Sequence, residues 1–426
     1  MYQFILSDSC QRKETGRTHL PFCEIQRNQR TEGKASLGGI KMNLAEYTFI
    51  VFGEEYHYNP LGVVRSLGEA GIHPDVIAYG GREHVVSSSR YVNETHHVKT
   101  VEDGYDILMR YYRNPERKAF VIACDDLVND CLDAHYDDLR EYFWFNNAGE
   151  QGRLEHFQNK EVLSELAVKC GAKVPRSWHV NRGEVPDDIE YPVLTKPLTS
   201  YEGWKSDYYV CNTETELRSA YLKIKGEQLL LQSYIQKKNE YSVDGIVYNH
   251  GNDVFISVET EYTYLLPDYY SMSMVHRTFQ NKEIQNFLNK MFRAIGFEGI
   301  FSIDMLIDEN DEKWFLEINF RNSAWSYAST KLGMNLPVLW AEGMITGKIP
   351  EDARKEVPDN YIALTEKMDF NLRVRKHHQI SFLQWLKEVK NADCLYVWDR
   401  HDLVPVFWTW MSPLGRMINK IKGTGA

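Results

Sequence analysis

The chain has 426 residues, a formal net charge of −11 and 43% hydrophobic residues. This length allows roughly two to four domains with buried cores. The acidic balance argues against a general nucleic-acid-binding protein, which needs a basic surface to follow phosphates. The sequence contains no apolar run of the ~18–20 residues that a membrane-spanning helix needs. Its seven cysteines are scattered without a CxxC pair, so we expect reduced thiols and a cytoplasmic protein.

Residues 1–44 are expected to form a flexible extension without a catalytic role. They are polar and basic and show little periodicity. The apolar triplet from Phe4 to Leu6 is far too short for the apolar region of a signal peptide. An alternative interpretation is that this segment lies upstream of a natural start at Met42.

Strands and helices alternate between residues 45 and 153. The predicted strands are 48–53, 75–79, 96–100 and 119–124, and the predicted helices are 61–70, 103–112 and 125–139. This alternation predicts a parallel sheet with crossover helices, so the region is interpreted as a Rossmann-like domain of the α/β class. Two glutamates follow Gly53 where a dinucleotide-binding fingerprint would continue with further glycines, and dinucleotide binding is not supported.

Residues 154–350 combine helices and strands in an α+β pattern, and residues 351–426 are interpreted as a C-terminal extension. Glycines that follow apolar periodic segments indicate where two of the helices end, at Gly171 and Gly296. The predicted helices are 154–170, 214–225, 282–295, 336–345 and 379–390, and a late strand is predicted at 395–399.

The segment 299–323 carries the strongest functional signal. Two apolar, β-prone runs flank an acidic turn at residues 308–311, which predicts a hairpin. Because side chains alternate along a strand, Glu317 and Asn319 share a face, and antiparallel pairing can bring Asp304 beside them. Two carboxylates and an amide oxygen suit Mg²⁺. The alternative is a solvated hairpin edge that is merely acidic.

Two other segments have the features of a nucleotide site. Lys196 ends a predicted strand and leads into the polar loop 198–205, which suits phosphates, although a surface lysine with a buried stem gives the same pattern. The strand 229–235 breaks into a polar turn before Glu240. The backbone edge of this strand could contact an adenine, and Glu240 could bind the ribose hydroxyls. The alternative is an ordinary strand–turn–strand unit with an exposed glutamate.

The order of these segments resembles the ATP-grasp superfamily over roughly residues 45–350. The elements that carry the resemblance are, in chain order, Lys160, the strand end Thr195-Lys196-Pro197, residues 232–240, and the set of Asp304, Glu317 and Asn319. The last set is similar to the metal-binding strand pair of D-alanine–D-alanine ligase. The resemblance implies a Rossmann-like domain (45–153) followed by a two-lobed ATP-grasp domain (154–350), with a lid at about 174–245 and a core at about 246–350.

The resemblance also implies roles for individual residues. Asp304, Glu317 and Asn319 would hold two Mg²⁺ ions, for which Mn²⁺ could substitute. Arg277 is a candidate for contacting the transferred γ-phosphoryl group, and Arg321 for gripping a substrate carboxylate. The ATP-binding residues implied are Lys160, Lys196, Ser200, Gln232, Ser233, Tyr234, Ile235 and Glu240.

The sequence departs from the superfamily pattern at three positions. The loop over the phosphates is usually rich in glycine but contains only Gly203 within Tyr201–Lys205. Gln232 stands where many members have a glutamate, and its carbonyl can still accept a hydrogen bond from an adenine amino group. Asn159 precedes Lys160 where an aspartate is usual.

The activity implied is ATP-dependent ligation of a carboxylate, expected to be an amino acid, to an amine through an acyl phosphate. The overall length and the C-terminal extension are similar to relatives of D-aspartate ligase, which act on cell-wall precursors. The alternative is a nucleotide-binding module of this fold without turnover, with a regulatory or interaction role. The partners expected are ATP, a small carboxylate and a small amine, and no nucleic acid.

The tail, residues 404–422, is apolar and aromatic and then basic, without an acidic residue. Such a segment could lie in a membrane interface as a peripheral contact. The alternatives are packing against its own core or against a second subunit in a homodimer.

Overall fold

The computed structural model describes residues 43–81, 84–197, 208–266 and 270–411. The predicted ATP-binding residue Ser200 lies outside the described residues. So do most of the predicted N-terminal extension and the last part of the C-terminal tail.

A five-stranded parallel sheet, here called the front sheet, begins the described chain. Its strand order is β3-β2-β1-β4-β5, and residues 49–52 of β1 are fully buried because helices cover both faces of such a sheet. A short turn of 3₁₀ helix, Leu44–Glu46, precedes the sheet. The elements are β1 (Phe49–Glu54), α1 (Tyr58–Glu69), β2 (Asp75–Tyr79), β3 (Thr95–Val98), α2 (Val101–Ile107), β4 (Ala119–Ala123), α3 (Asp126–Ala134), α4 (Tyr136–Leu139) and β5 (Phe143–Trp144).

Three predicted helices are broken in the structure. The helix predicted at 103–112 is α2 followed by a π-helical turn, Leu108–Tyr112, and that predicted at 125–139 is α3 and α4. The helix predicted at 154–170 is divided into α5 (Arg153–Gln158) and α6 (Lys160–Cys170). Asn159 separates them because its side chain accepts hydrogen bonds from the first backbone amides of α6, as N-cap residues do.

A four-stranded antiparallel sheet, here called the lid sheet, follows α6. Its strand order is β6-β9-β7-β8, and it carries one helix and a small core of its own. The first of its strands, β6, was not predicted as a separate element. The elements are β6 (Ser177–Asn181), β7 (Val193–Pro197), β8 (Val210–Cys211), α7 (Glu214–Tyr221) and β9 (Gln228–Ser233).

A seven-stranded sheet, here called the large sheet, contains the predicted hairpin at one edge, in the order β14-β13-β10-β11-β12-β15-β16. The elements are β10 (Lys237–Tyr248), β11 (Asp253–Tyr262), β12 (Ser273–Thr278), α8 (Lys282–Ile295), β13 (Gly299–Asp308), β14 (Lys313–Asn319), α9 (Ser326–Lys331), α10 (Leu336–Thr346), β15 (Tyr361–Leu364), α11 (Glu366–Asp369), a π-helical turn (Phe370–Lys376), α12 (Phe382–Asn391) and β16 (Cys394–Leu395).

The large sheet draws on more of the chain than the sequence predicted. Because β10 belongs to it, residues 237–245 of the predicted lid are part of this sheet. Two strands of the predicted C-terminal extension, β15 and β16, extend its other edge. Of the strand predicted at 395–399, only Leu395 lies in a strand, the two-residue β16. The fold class is as predicted: an α/β region is followed by an α+β region.

Helix α8 shows how the sequence pattern builds the core under the hairpin. Its buried residues recur every three or four positions, so one face of the helix is apolar. The Asn281 side chain caps its start, and Gly296 ends it in a left-handed conformation with φ of 78°. The buried face consists of Ile284, Phe287, Leu288, Met291, Phe292 and Ile295, and each of these side chains stabilises the fold by about 1.5–3 kcal/mol.

The front sheet and the large sheet are joined by a shared core and by a buried ion pair. Phe120 of β4 packs edge-on against Trp340 of α10, with 5.6 Å between ring centroids. Arg65 of α1 is fully buried and donates to Asp402 at 2.9 Å and to the carbonyl of Tyr396 at 3.1 Å. A buried guanidinium needs such partners, so this contact holds the C-terminal extension against the front sheet.

The helices and the cysteines bear on where in the cell the protein could reside. Among the described residues no helix combines the length and the apolar character that crossing a bilayer requires. The five cysteines in the described ranges are buried and form no disulfide: Cys124, Cys131, Cys170, Cys211 and Cys394. This agrees with the expectation of reduced thiols, while the cytoplasmic location stays a prediction.

Candidate active site

A cavity of about 1000 Å³ lies where the three sheets meet. Its size suits a nucleotide together with a small substrate. Polar side chains from every sheet line it: Glu54, His57 and Asp126 from the front sheet, Lys196 and Gln232 from the lid sheet, and Glu240, Asp304, Glu317 and Asn319 from the large sheet.

The hairpin places its three oxygen-bearing side chains together, as the sequence predicted. Asp304 of β13 lies directly opposite Glu317 of β14, and Ser302 lies opposite Asn319. The Asn319 amide donates to the Asp304 carboxylate at 2.9 Å. A register shift after Asp304 leaves Leu316 without a partner residue on β13, and Leu316 and Glu317 both line the cavity. The strand pair thus presents two carboxylates and an amide to one space.

The electrostatics of this cluster fit a divalent cation. Burial raises the pKa of the Asp304 carboxyl above its ordinary value, and the Glu317 carboxylate opposite raises it further. Glu240 adds a third carboxylate to the same wall. Like charges held this close to Asp304 disfavour its ionisation, and a bound cation would relieve this repulsion. Hard oxygen ligands of this kind are those that Mg²⁺ prefers.

Lys196 reaches the cavity from the end of β7, opposite the hairpin. Its ammonium donates to the side-chain oxygen of Gln232 at 2.6 Å, and the Gln232 amide donates in turn to Ser177 at 3.0 Å. Burial, together with the nearby charge of Lys160, lowers the pKa of Lys196 to about 8. An anion bound here would raise the pKa of Lys196 again. The Gln232 carbonyl predicted for an adenine amino group is therefore engaged with Lys196.

The connection between β9 and β10 forms another part of the cavity wall. Ser233, Tyr234 and Ile235 all line it, next to Glu240. Glu240 accepts a hydrogen bond from Lys237 at 2.6 Å. The structure therefore brings the backbone edge and the carboxylate of the predicted nucleoside site to one place.

Lys160 is the first residue of α6, because Asn159 caps that helix. Lys160 does not line the cavity itself, yet its charge acts on Lys196. Asn159, which stands where an aspartate is usual, caps this helix: its side-chain oxygen accepts hydrogen bonds from the backbone amides of Glu161 and Val162 at 3.0 and 3.3 Å.

Arg321 follows the hairpin and connects it to the front sheet. Its guanidinium donates to Asp126 at 2.9 Å and to the Asn319 oxygen at 3.1 Å. The next residue, Asn322, exchanges hydrogen bonds with Asn59: its side-chain amide donates to the Asn59 oxygen at 2.6 Å, and its carbonyl accepts from the Asn59 amide at 2.9 Å. These buried contacts fix the position of the arginine between the Asp304–Glu317 carboxylates and the front sheet.

The front sheet supplies a second group of cavity residues that sequence reasoning missed. Strands β1 and β4 are neighbours at the point where the strand order reverses, and ligands bind at such a point beyond the carboxyl ends of the strands. Glu54 is the last residue of β1, while Asp125 and Asp126 follow β4. The signal was present in the sequence, because acidic residues directly follow both predicted strands.

His57 belongs to the same group. Its Nδ1 accepts from the backbone amide of Asn59 at 3.1 Å, so a neutral ring carries its proton on the other nitrogen. Burial and the charge of Arg321 lower the pKa of His57 to about 4. The imidazole is therefore neutral near pH 7 and offers one donor to the cavity. Burial raises the pKa of Asp125, on the opposite strand end, to about 6.

Arg277 is not brought to this cavity. In the cross-strand register, the face that carries Asp304 continues through Thr260 to His276. Because side chains alternate along a strand, Arg277 points to the opposite face, where it forms an ion pair with Glu261 at 3.0 Å. The loop that contains Ser200 lies outside the described residues, so neither prediction gains support from the site.

Comparison with solved structures identifies the fold. N5-carboxyaminoimidazole synthetase from Staphylococcus aureus superimposes with a TM-score of 0.59 at 15% identity, over 78% of this chain and 86% of that one. Biotin carboxylase from Campylobacter jejuni, solved as a β-γ-ATP complex, gives 0.59 at 14% identity, over 74% and 75%. L-amino acid ligase from Bacillus licheniformis gives 0.53 at 12% identity, over 70% and 74%.

Sequence comparison gives a match over part of the chain. The chain is 22% identical over 270 residues to D-aspartate ligase from Enterococcus faecium (strain Aus0004), which covers 56% of this chain. It spans 61% of the length of that relative. No protein-family model matches the sequence. The structural comparisons confirm the predicted fold: the chain has the ATP-grasp fold, with a Rossmann-like sheet in front of it.

Proposed function

We propose that the chain is an ATP-dependent ligase that joins a carboxylate to an amine through an acyl phosphate. The observation that carries the proposal is the pairing of Asp304 with Glu317 in the same cavity as Lys196. Two apposed carboxylates suit a metal, and a lysine across the cavity suits a phosphate chain. A metal-bound triphosphate satisfies both at once.

The nucleotide would lie between the lid sheet and the large sheet. The β9–β10 connection at Ser233 to Ile235 would border the adenine, and Glu240 would accept hydrogen bonds from the ribose hydroxyls. Lys196 would contact the phosphates, and Lys160 would add a second positive charge nearby. This arrangement is supported by the shared cavity wall and by the lowered pKa of Lys196, which phosphate binding would reverse.

Asp304, Glu317 and Asn319 would hold Mg²⁺. When bound, the metal neutralises the phosphate oxygens and so allows an anionic nucleophile to approach. The fit rests on the chemistry of the donors: three carboxylates and an amide face one space, and two of the carboxylates repel each other without a cation.

In the first step of the reaction, a carboxylate oxygen of the acid attacks the γ-phosphorus and the bond to the β-phosphate oxygen breaks, releasing ADP. The product is an acyl phosphate. The nitrogen of the amine then attacks the acyl carbon, the carbon–oxygen bond to phosphate breaks, and the nitrogen loses its proton. Amide, ADP and phosphate result. The protein's part is to orient the reactants and stabilise charge, so no nucleophilic side chain is required.

The acid and the amine would bind at the front-sheet end of the cavity. Arg321 lies between the metal ligands and Asp126, and a guanidinium in this position can grip a carboxylate with two hydrogen bonds. The acidic side chains after β1 and β4 suit an ammonium group. An amino acid carries both groups, and the similarity to D-aspartate ligase supports an amino-acid substrate and, as a finer proposal, a cell-wall precursor as acceptor.

The ligase is distinguished from a nucleotide-binding module by turnover. The purified protein is incubated with ATP, Mg²⁺ and pools of D- or L-amino acids, and ADP formation is recorded. We expect ADP formation that depends on an amino-acid pool and stops when the metal is chelated. Tight ATP binding without amino-acid-stimulated ADP formation would support the module instead, a function that the single glycine in the phosphate loop favours.

A further inference from the structure

The last described helical segment, residues 403–411, has an apolar face that is turned toward solvent. Its exposed residues are separated by one, three, three and one positions along the chain, which is the spacing of a single helical face. The side chains are between 38 and 57% exposed. They are Leu403, Val404, Phe407, Trp410 and Met411. An exposed face made entirely of large apolar side chains is unusual on a protein surface.

This segment is held firmly by its other face. Val406 and Thr409 are buried, and Lys367 donates a hydrogen bond to the Thr409 carbonyl. Asp402, which directly precedes the segment, is fixed by Arg65 and by the Ser89 hydroxyl at 2.9 and 2.8 Å. The exposed face is therefore displayed by a docked helix, and its exposure does not come from a frayed end.

The apolar surface continues on α12. Phe382, Leu383 and Leu386 are 51, 77 and 42% exposed. The two helices adjoin, because the ring of Trp410 lies 6.4 Å from that of Trp385. Together they form what we call the extension patch: the exposed apolar residues of α12 and of segment 403–411.

The charges around the extension patch have the sign opposite to that of the whole chain. Between residues 370 and 411, the only acidic residue that is exposed is Asp393, while five basic residues are exposed. These are Arg375, Lys376, Lys387, Lys390 and Arg400. The net charge of the whole chain, by contrast, is −11. Exposed apolar and aromatic side chains, in a segment whose exposed charges are mostly basic, match an anionic lipid surface.

We propose that the extension patch docks the protein on the surface of a bilayer that contains anionic lipid. Aromatic and aliphatic side chains would enter the headgroup region while the surrounding lysines and arginines meet lipid phosphates. A second copy of the chain is a poorer occupant, because a twofold contact through this patch would bring the basic residues of both copies together.

The test is sedimentation of the protein with vesicles of phosphatidylcholine alone or mixed with phosphatidylglycerol. We expect binding to the mixed vesicles at least about tenfold stronger than to phosphatidylcholine, and weaker binding at high salt. The double variant Leu403→Asp/Phe407→Asp should lose about tenfold or more in binding. Its matched control, Val168→Asp/Leu222→Asp, changes exposed apolar residues elsewhere and should bind within about twofold of wild type.

A second variant covers the case in which the aspartates disturb folding. Lys387→Glu/Lys390→Glu keeps the apolar face and should reduce binding to the mixed vesicles several-fold. Equal binding of wild type and both patch variants would overturn the proposal, as would failure of the wild type to bind mixed vesicles. Loss of dimerisation in Leu403→Asp/Phe407→Asp, without any vesicle binding by the wild type, would assign the patch to a second copy.

Discussion

The two ends of the cavity differ in how their residues are brought together. At the end proposed to hold the metal, here called the metal end, Asp304, Glu317 and Asn319 come from adjacent strands of one hairpin, so short-range pairing is enough to assemble them. At the front-sheet end, Glu54 is the last residue of β1 and Asp126 begins the helix that follows β4. These two residues are far apart in the chain and meet only because β1 and β4 are neighbours. A site whose residues are close in the sequence can be predicted from their spacing. A site whose residues meet through the order of strands in a sheet can be recognised only once the fold is known.

The two ends also differ in their electrostatics. At the metal end, burial and the apposed Glu317 carboxylate raise the pKa of Asp304, so an ionised Asp304 is costly until a cation binds. The front-sheet end alternates charges: Arg321 lies between Asp126 and Asn319, and His57 stays neutral. Under the proposed function, the metal and the phosphates would therefore lie at one end and a zwitterionic substrate at the other.

The largest effect is expected from Glu317→Gln. Losing one negative ligand while keeping the shape of the side chain should reduce amino-acid-stimulated ADP formation by at least about a hundredfold. Thermal unfolding should be unchanged or occur at a higher temperature, because the variant also removes the carboxylate that repels Asp304. ADP formation is measured at saturating Mg²⁺ and ATP.

The matched control is Glu312→Gln on the same hairpin. Glu312 is exposed and pairs with Lys173 away from the cavity, so this variant should keep nearly full activity. Activity of Glu317→Gln within a few-fold of wild type would refute the metal assignment.

A smaller effect, limited to binding of the acid at the front-sheet end of the cavity, is expected from Arg321→Lys. A lysine keeps the charge but cannot make two parallel hydrogen bonds to a carboxylate, so KM for the acid should rise about tenfold while KM for ATP changes little. Asp126→Asn serves as the companion variant, since it leaves Arg321 in place and removes its ion-pair partner. Equal increases in both KM values for Arg321→Lys would mean that the arginine belongs to the nucleotide end.

The smallest effect is a dependence of ATP binding on pH. Free Lys196 has a pKa of about 8, and bound phosphates should raise it, so ATP binding near pH 8 takes up a proton. The apparent Kd should therefore rise with pH above about 8, by at most about tenfold per pH unit. Calorimetry in buffers of different ionisation enthalpy measures the proton uptake directly.

Lys196→Arg provides the control for that titration, because arginine stays protonated throughout this range. The variant should lose the proton uptake and retain ATP binding. Identical proton uptake in wild type and Lys196→Arg would show that another group titrates on binding.

Much of the fold and of the metal end could be predicted from the sequence. Alternating strands and helices predicted the front sheet, and the spacing of Asp304, Glu317 and Asn319 predicted the strand pair that the structure contains. The sequence could not show which face of the large sheet carries Arg277, because the register between strands decides this. The helix predicted at 154–170 is divided because the Asn159 side chain caps α6. Such a side-chain hydrogen bond to the backbone competes with a continuous helix, and hydrophobic periodicity does not reveal it.

The central claim is that both ends of the cavity serve one reaction, in which an acid takes up the γ-phosphoryl group of ATP. The most direct measurement supplies amino acids whose carboxylates are labelled with heavy oxygen and analyses the released phosphate by mass spectrometry. The account predicts that one labelled oxygen passes into phosphate, since the acyl carbon–oxygen bond breaks when the amine attacks, and that Glu317→Gln produces none. Phosphate without label from an actively turning-over wild type would contradict the account, because it would mean that water alone accepts the phosphoryl group.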